Sequence, residues 1–135
     1  MKKQVKVVVS VFTDGEKILA EKRILENFTG EQLLIPGGTV KDFETAEQAL
    51  VREVFEELGL TVLEFEILPL DKEIRGLKNQ LIIPFLIKKW NGEFPQKILD
   101  KGNSIEWLNI DEVLNSPIEP TRKVVEALKK YLPKK

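Results

Sequence analysis

The sequence predicts an α/β fold, a mixed β-sheet sandwiched between helices. Three observations carry that expectation. Short runs rich in Val, Ile and Leu recur along the chain, starting at 4–13, and read as strands. A helix-periodic stretch with a signal at each end lies among them. A second helical stripe follows Glu119-Pro120 near the end of the sequence. At 135 residues the chain is expected to form one domain, 1–135, large enough for a hydrophobic core.

Composition narrows the chemistry. Hydrophobic content of 42% and charged content of 32% suit a soluble globular protein. The net charge of -1 implies no general nucleic-acid patch, so anionic ligands must be met by local Lys, Arg or metal. There is no Cys, which removes disulfides, thiolate nucleophiles and Cys-based zinc sites. There is no His, which removes Ser-His-Asp triads, His bases and His-ligated metals. Met1-Lys2-Lys3 before Val5–Phe12 has the outline of a signal peptide. Lys6 interrupts the apolar run and Asp14-Gly15-Glu16 ends it early, so a strand is expected instead. No stretch is long enough to span a membrane, and a cytoplasmic location is expected.

In chain order, 4–13 is a largely buried strand and Asp14-Gly15 a hairpin turn. Lys17–Arg23 returns. Residues 26–32 form a loop with Asn27, Thr29 and Gly30 as turn residues. Leu33–Ile35 is a short strand ended by Pro36. Gly37-Gly38 then lets the backbone approach another group closely, a phosphate or a metal. Thr45 and Gln48 have the spacing of a capping box. Ala46, Ala49, Leu50, Val54 and Leu58 recur at helical steps, and Gly59 supplies the stop. Val62–Leu70 reads as a strand, 71–78 as a polar connection, and Leu81–Ile87 as a strong strand. Pro84 removes a ladder donor there and predicts an edge or a bulge. Trp90–Glu93 is a turn, Ser104–Asn109 a strand holding Glu106 and Trp107, and Asp111–Leu114 one helical turn. The last helix opens at Glu119, with Pro120 in the first helical position. Val124, Val125, Leu128 and Leu132 form its apolar stripe.

The middle helix carries the chemistry. Glu53, Glu56 and Glu57 stand at i, i+3 and i+4, so their carboxylates project from one side. Arg52 is the local partner. Like charges at this spacing disfavour a helix by a few tenths of a kcal/mol per pair, roughly. A divalent cation reverses that sign, because hard cations take carboxylate oxygens. A solvated acidic face is the plainer reading of the three Glu alone. The longer pattern decides between them. Gly38, five residues, Glu44, seven residues, then Arg52-Glu53-Val54-Phe55-Glu56-Glu57-Leu58-Gly59-Leu60 fill every fixed position of the Nudix box. The sequence resembles a Nudix hydrolase.

That resemblance implies the α/β/α sandwich of the Nudix type and cleavage of a nucleoside diphosphate linked to another group. It implies Glu53, Glu56 and Glu57 as metal ligands and catalytic residues, with the Gly37 carbonyl as a further ligand. Arg52 would orient a box carboxylate, and Glu44 would act behind it or as a weaker ligand. The implied cofactor is Mg2+, with Mn2+ able to substitute, bridging the phosphates and activating water. Glu106, before Trp107 on a late strand, matches an acidic metal ligand of MutT-like members; an exposed strand Glu is the alternative. Arg23 matches a nucleotide contact, or is a surface Arg. Gly38, Ile35, Asn79 and Ile118 complete the substrate-binding candidates. Trp107 is expected to pack, and Phe28 either stacks on a base or pins its loop. Length and layout are most similar to the MutT group, which cleaves nucleoside triphosphates to monophosphate and pyrophosphate. An ADP-ribose or dinucleoside polyphosphate hydrolase is the other enzymatic reading, and a non-catalytic nucleotide-binding regulatory module the other class. Ile35 stands where MutT has Phe, and Ile118 where MutT has a base-reading Asn, which points away from strict oxidised-guanine selection. The expected partner is a small nucleotide, with no nucleic acid or membrane needed, and the chain a monomer or homodimer.

Overall fold

The computed structural model of the protein describes residues 4–94 and 104–133. Strands β1 (Lys6–Val11), β2 (Lys17–Ile24), β3 (Glu31–Leu34) and β4 (Gly37–Thr39) precede helix α1 (Ala46–Leu58). Then follow β5 (Thr61–Ile67), β6 (Ile74–Arg75), a 3-10 turn (Leu77–Asn79), β7 (Leu81–Asn91), β8 (Ser104–Asn109), α2 (Ile110–Leu114) and α3 (Glu119–Tyr131). One sheet runs β4-β1-β7-β5, with β6 also on β7. It is mixed, because β1 and β7 are parallel while the other pairs are antiparallel. The second sheet runs β3-β2-β8 and is antiparallel.

Alternation along β1 places the two core layers, since successive side chains take opposite faces. Val8 and Phe12 join Leu50, Val54 and Leu58 of α1. Val9 and Val11 join Val124, Val125 and Leu128 of α3. The mixed sheet is therefore covered by α1 on one side and α3 on the other, the expected sandwich. A group of edge-on aromatic rings ties the two sheets together. Phe12 packs against Trp90 of β7 and against Phe94, each with centroids 5.2 Å apart, and Phe94 lies 5.0 Å from Trp107 of β8. Trp107 thus packs, as its sequence suggests. Among the described residues no helix is long and apolar enough to cross a membrane.

Helix α1 has the predicted ends. The Gln48 N–H donates to Thr45 Oγ1 at 3.1 Å, and the Thr45 N–H donates to Gln48 Oε1 at 2.8 Å. Gly59 closes the helix at φ 70°, where a side chain would be strained. The buried row Ala49, Leu50, Val54 and Leu58 fixes the rotation of the helix.

Several local expectations need correction. Asp14-Gly15 makes a tight turn, with Asp14 Oδ1 accepting from the Glu16 and Lys17 N–H groups. Yet β1 and β2 do not form a hairpin ladder. They meet near the turn, at the Thr13–Ile18 bridge, and then enter different sheets. Gly37–Thr39 is a strand on β1, although glycines carry no strand preference. The 71–78 connection contains β6, and Trp90-Asn91 belongs to β7 rather than to a turn. Pro120 is the second helical residue of α3, still inside the turn where a missing N–H costs nothing. Pro84 lies neither at an edge nor in a bulge. It pairs with Val9 across from β1, in a strand with neighbours on both sides. On the other side β5 pairing ends at Phe85 and β6 pairing begins at Ile82. The absent donor falls in that interval.

Candidate active site

The site starts from two adjacent glycines with different tasks. A Cβ on Gly37 would lie 2.1 Å from the Val8 carbonyl oxygen, so this glycine lets β4 reach β1. A Cβ on Gly38 would lie 2.2–2.4 Å from the Glu53 carboxyl atoms, so this one makes room for a carboxylate. The close approaches at these glycines are thus to groups of the protein itself, Val8 and Glu53. Gly38→Ala moves the flexible end of one side chain; Gly37→Ala collides with a backbone. We expect Gly38→Ala to keep its thermal midpoint while losing ~10²-fold activity, the scale of a misplaced catalytic group. Gly37→Ala should unfold at clearly lower temperature. Equal midpoints for the two variants would contradict this division.

Arg52 organises the helix face. Its Nε and Nη2 donate to the two Glu44 oxygens at 3.1 and 2.5 Å, and Nη2 also donates to the Thr39 carbonyl at 3.2 Å. Nη1 donates to Glu53 at 2.8 Å and to Glu56 at 3.2 Å. The side chain of Glu44 is 7% exposed and that of Glu53 17%, while Glu56, at 54%, lies toward solvent. Hydrogen bonds from Arg52, and then from the Lys41 N–H, hold the Glu44 carboxyl down to about 2. Glu44, followed by Glu53, raises the affinity of Arg52 for its proton above the ordinary value. Glu44 thus anchors Arg52, and Arg52 anchors Glu53.

Glu57 turns inward instead. Burial first, then the charge and hydrogen bond of Glu21, then Glu53, push its carboxyl up to about 9. Glu21 was not a sequence candidate. It is 4% exposed, directly after the buried apolar run Ile18-Leu19-Ala20, and its carboxyl lies 2.7 Å from Arg23 Nε as an ion pair without well-directed hydrogen-bond geometry. An acid interrupting a buried strand, two residues before a strand Arg on the same face, was the available signal.

In a metal-free protein this Glu57 shift has a definite sign. The folded state binds its proton more tightly than the unfolded one, whose carboxyl has the ordinary value of 4.5. Stability is therefore fullest below about 4.5 and falls as pH rises towards 9. With a chelator present, the thermal midpoint should decline across that window, and saturating Mg2+ should flatten the decline. A chelated protein equally stable at pH 5 and 8.5 would rule out the crowded Glu57.

Two concavities flank β1 and have Gly37 in common. Ser10, Gly37, Glu53 and Glu57 line a narrow crevice between β1 and α1. Arg23, Ile35, Gly37 and Ile118 line a cleft of about 360 Å³, with Glu21, Leu77 and Gln80. Gly37 belongs to both. Arg23, Ile35, Gly37 and Ile118 thus share the cleft, and Gly37, Glu53 and Glu57 share the crevice. Asn79 and Glu106 line neither. Asn79 is exposed outside the cleft lining, and its carbonyl accepts from Gln4 Nε2 at 2.9 Å. Glu106 pairs with Ala20 across the strands, whereas Glu21 pairs with Ile105, so Glu106 stands on the opposite face of β2-β8 from Glu21. It accepts from Ser104 Oγ at 2.8 Å and lies 3.4 Å from Lys22 Nζ. Those contacts, Ser104 first, lower its pKa. Among the described residues no three acidic side chains form a preformed metal cage. The crevice nevertheless offers hard oxygen donors from Glu53 and Glu57, and it crowds their negative charge. That donor set fits Mg2+ or Mn2+.

The NUDIX domain profile matches residues 2–129 of this chain. The chain belongs to the Nudix family. Among its relatives, the 8-oxo-dGTP diphosphatase of Escherichia coli is 29% identical over 132 residues, covering 96% of this chain and 99% of the relative. That of Buchnera aphidicola from Acyrthosiphon pisum is 35% identical over 97 residues, covering 70% and 75%. A solved MutT chain, from work on the Aliivibrio salmonicida and Vibrio cholerae proteins, superposes with a TM-score of 0.72 at 25% identity, over 96% of this chain and 100% of the other. This Nudix protein is MutT-like and a pyrophosphohydrolase by family.

Proposed function

We propose that this Nudix protein hydrolyses a nucleoside triphosphate to the monophosphate and pyrophosphate. The carrying observation is that Gly37 is common to the linings of the Arg23–Ile35–Ile118 cleft and the Glu53–Glu57 crevice. The cleft volume is within the range of small-molecule sites. A base seated against Ile35 and Ile118 directs its phosphates past Arg23 towards the glutamates. Glu53 and Glu57, with the Gly37 carbonyl, would hold Mg2+, or Mn2+ in its place. The bound ion supplies charge neutralisation and water activation. Arg52 keeps Glu53 in place, and Glu44 keeps Arg52 in place. Glu56 completes the acidic face from its exposed position. Glu106 is given no ligand role, because it is engaged by Ser104 and Lys22 on the other face of β8. The same reading has the protein acting in the cytoplasm as a monomer or homodimer, on free nucleotide.

The experiment is pyrophosphate release over a panel of nucleotides, with Mg2+ and after exhaustive chelation. Turnover should require the metal, and the metal alone should raise the thermal midpoint. Full activity after chelation would overturn the proposal.

Specificity follows from Ile118. Its side chain offers the base no donor or acceptor. A site that hydrogen-bonds a base rejects an analogue by ~10⁴–10⁵-fold, whereas an apolar contact discriminates by about 10–200-fold. The preference for 8-oxo-dGTP over dGTP in kcat/KM should therefore stay below ~10²-fold. Steady-state kinetics on both nucleotides checks this, and a ratio near ten thousand would show another group reading the base.

A further inference from the structure

Glu21 is an unusual residue for its place. It lies in β2, the central strand of the smaller sheet, between Leu34 and Ile105. Its backbone is thus pinned from both sides, and its carboxyl is almost fully buried. A buried carboxylate persists when a positive partner accompanies it. That partner is Arg23, two residues on and on the same strand face, with Nε 2.7 Å from the Glu21 oxygen. The side chain of Arg23 is 43% exposed and lines the cleft. Its inner nitrogen is the atom that pairs with Glu21, as an ion pair rather than a directed hydrogen bond.

We propose that Glu21 is a positioning residue for substrate. It clamps Arg23 through Nε, leaving the paired Nη nitrogens to fork onto an anionic oxygen pair of the nucleotide phosphates. This rests on the reading of the cleft as the nucleotide site. A guanidinium already drawn to one side by its ion pair with Glu21 loses less freedom when the anion arrives, so the clamp acts on substrate capture. Because Glu21 also faces Glu57, the captured phosphate is held beside the carboxylate crevice.

The test is a double-mutant cycle on KM and kcat with the Mg2+-loaded protein. Glu21→Gln keeps shape and removes the charge. It should raise KM for a nucleoside triphosphate by about 10- to 100-fold, the scale of one charge-assisted contact, with a smaller change in kcat. Arg23→Ala should raise KM at least as much. In the Arg23→Ala background Glu21→Gln should change KM less than twofold, because the clamp then holds nothing. A general loss of packing would lower stability and activity in both backgrounds alike. If the two KM effects multiply, the inference fails while the substrate role of Arg23 stands. If Arg23→Ala leaves KM unchanged, both that role and the inference fail. Arg23→Lys gives a check that leaves the buried carboxyl untouched. Lys has one nitrogen where the clamp and the phosphate need separate ones, so its KM should match that of Arg23→Ala; a wild-type KM would overturn the clamp.

Discussion

Glu57→Gln and Glu53→Gln are each expected to lower turnover by at least ~10²–10⁴-fold, the scale of a lost catalytic acid or base. Both changes keep side-chain volume and helix propensity. The geometry adds a second, opposite expectation for Glu57. In the metal-free protein its carboxyl is crowded by burial, Glu21 and Glu53. A neutral amide relieves that crowding. Glu57→Gln should therefore unfold in chelator at the same or a higher temperature than the parent while being nearly inactive. Lower stability together with lower activity would point to a damaged fold. Near-parental turnover in either variant would remove that residue from the mechanism.

The second large effect is expected at Arg52. One guanidinium reaches Glu44, Glu53, Glu56 and the Thr39 carbonyl. Arg52→Ala leaves the well-covered Glu44 and Glu53 without their cation and frees Glu53 from its fixed place. Turnover should fall by ~10²-fold or more, as misplacement of a catalytic group by about an ångström costs, and the thermal midpoint should fall with it. Arg52→Lys should restore little, since one ammonium cannot span two carboxylates in a planar fork. Full rescue by Lys would mean that charge alone, and not the fork, is needed.

These expectations draw on features of unequal legibility in the sequence. Helix α1 could be read because its signals are local: Thr45 and Gln48 sit three residues apart, and Gly59 ends the same segment. The box glutamates are legible for the same reason. Pro84 was misplaced because a strand's position depends on partners far away, here β1 on one side and the interval between β5 and β6 on the other. Strand β4 was missed because Gly37-Gly38 pairs through its backbone, which leaves no side-chain pattern. Glu21 was missed because its meaning depends on Glu57, brought to it only by the packed fold. Glu106 had the right residue type on the right strand. The alternation of β8 turns it to the other face from Glu21, which the register of β2 and β8 determines.

The ring cluster at the junction of the sheets has an optical consequence. The chain has two tryptophans, Trp90 on β7 and Trp107 on β8. Phe94 touches both, so the two indoles flank the seam between the sheets. Intrinsic tryptophan emission therefore comes from one location, and neither indole lines the Arg23–Ile118 cleft. Occupying the cleft should leave that emission nearly unchanged, whereas parting of the sheets should quench and red-shift it. Fluorescence would then register loss of the scaffold without mistaking nucleotide capture for it.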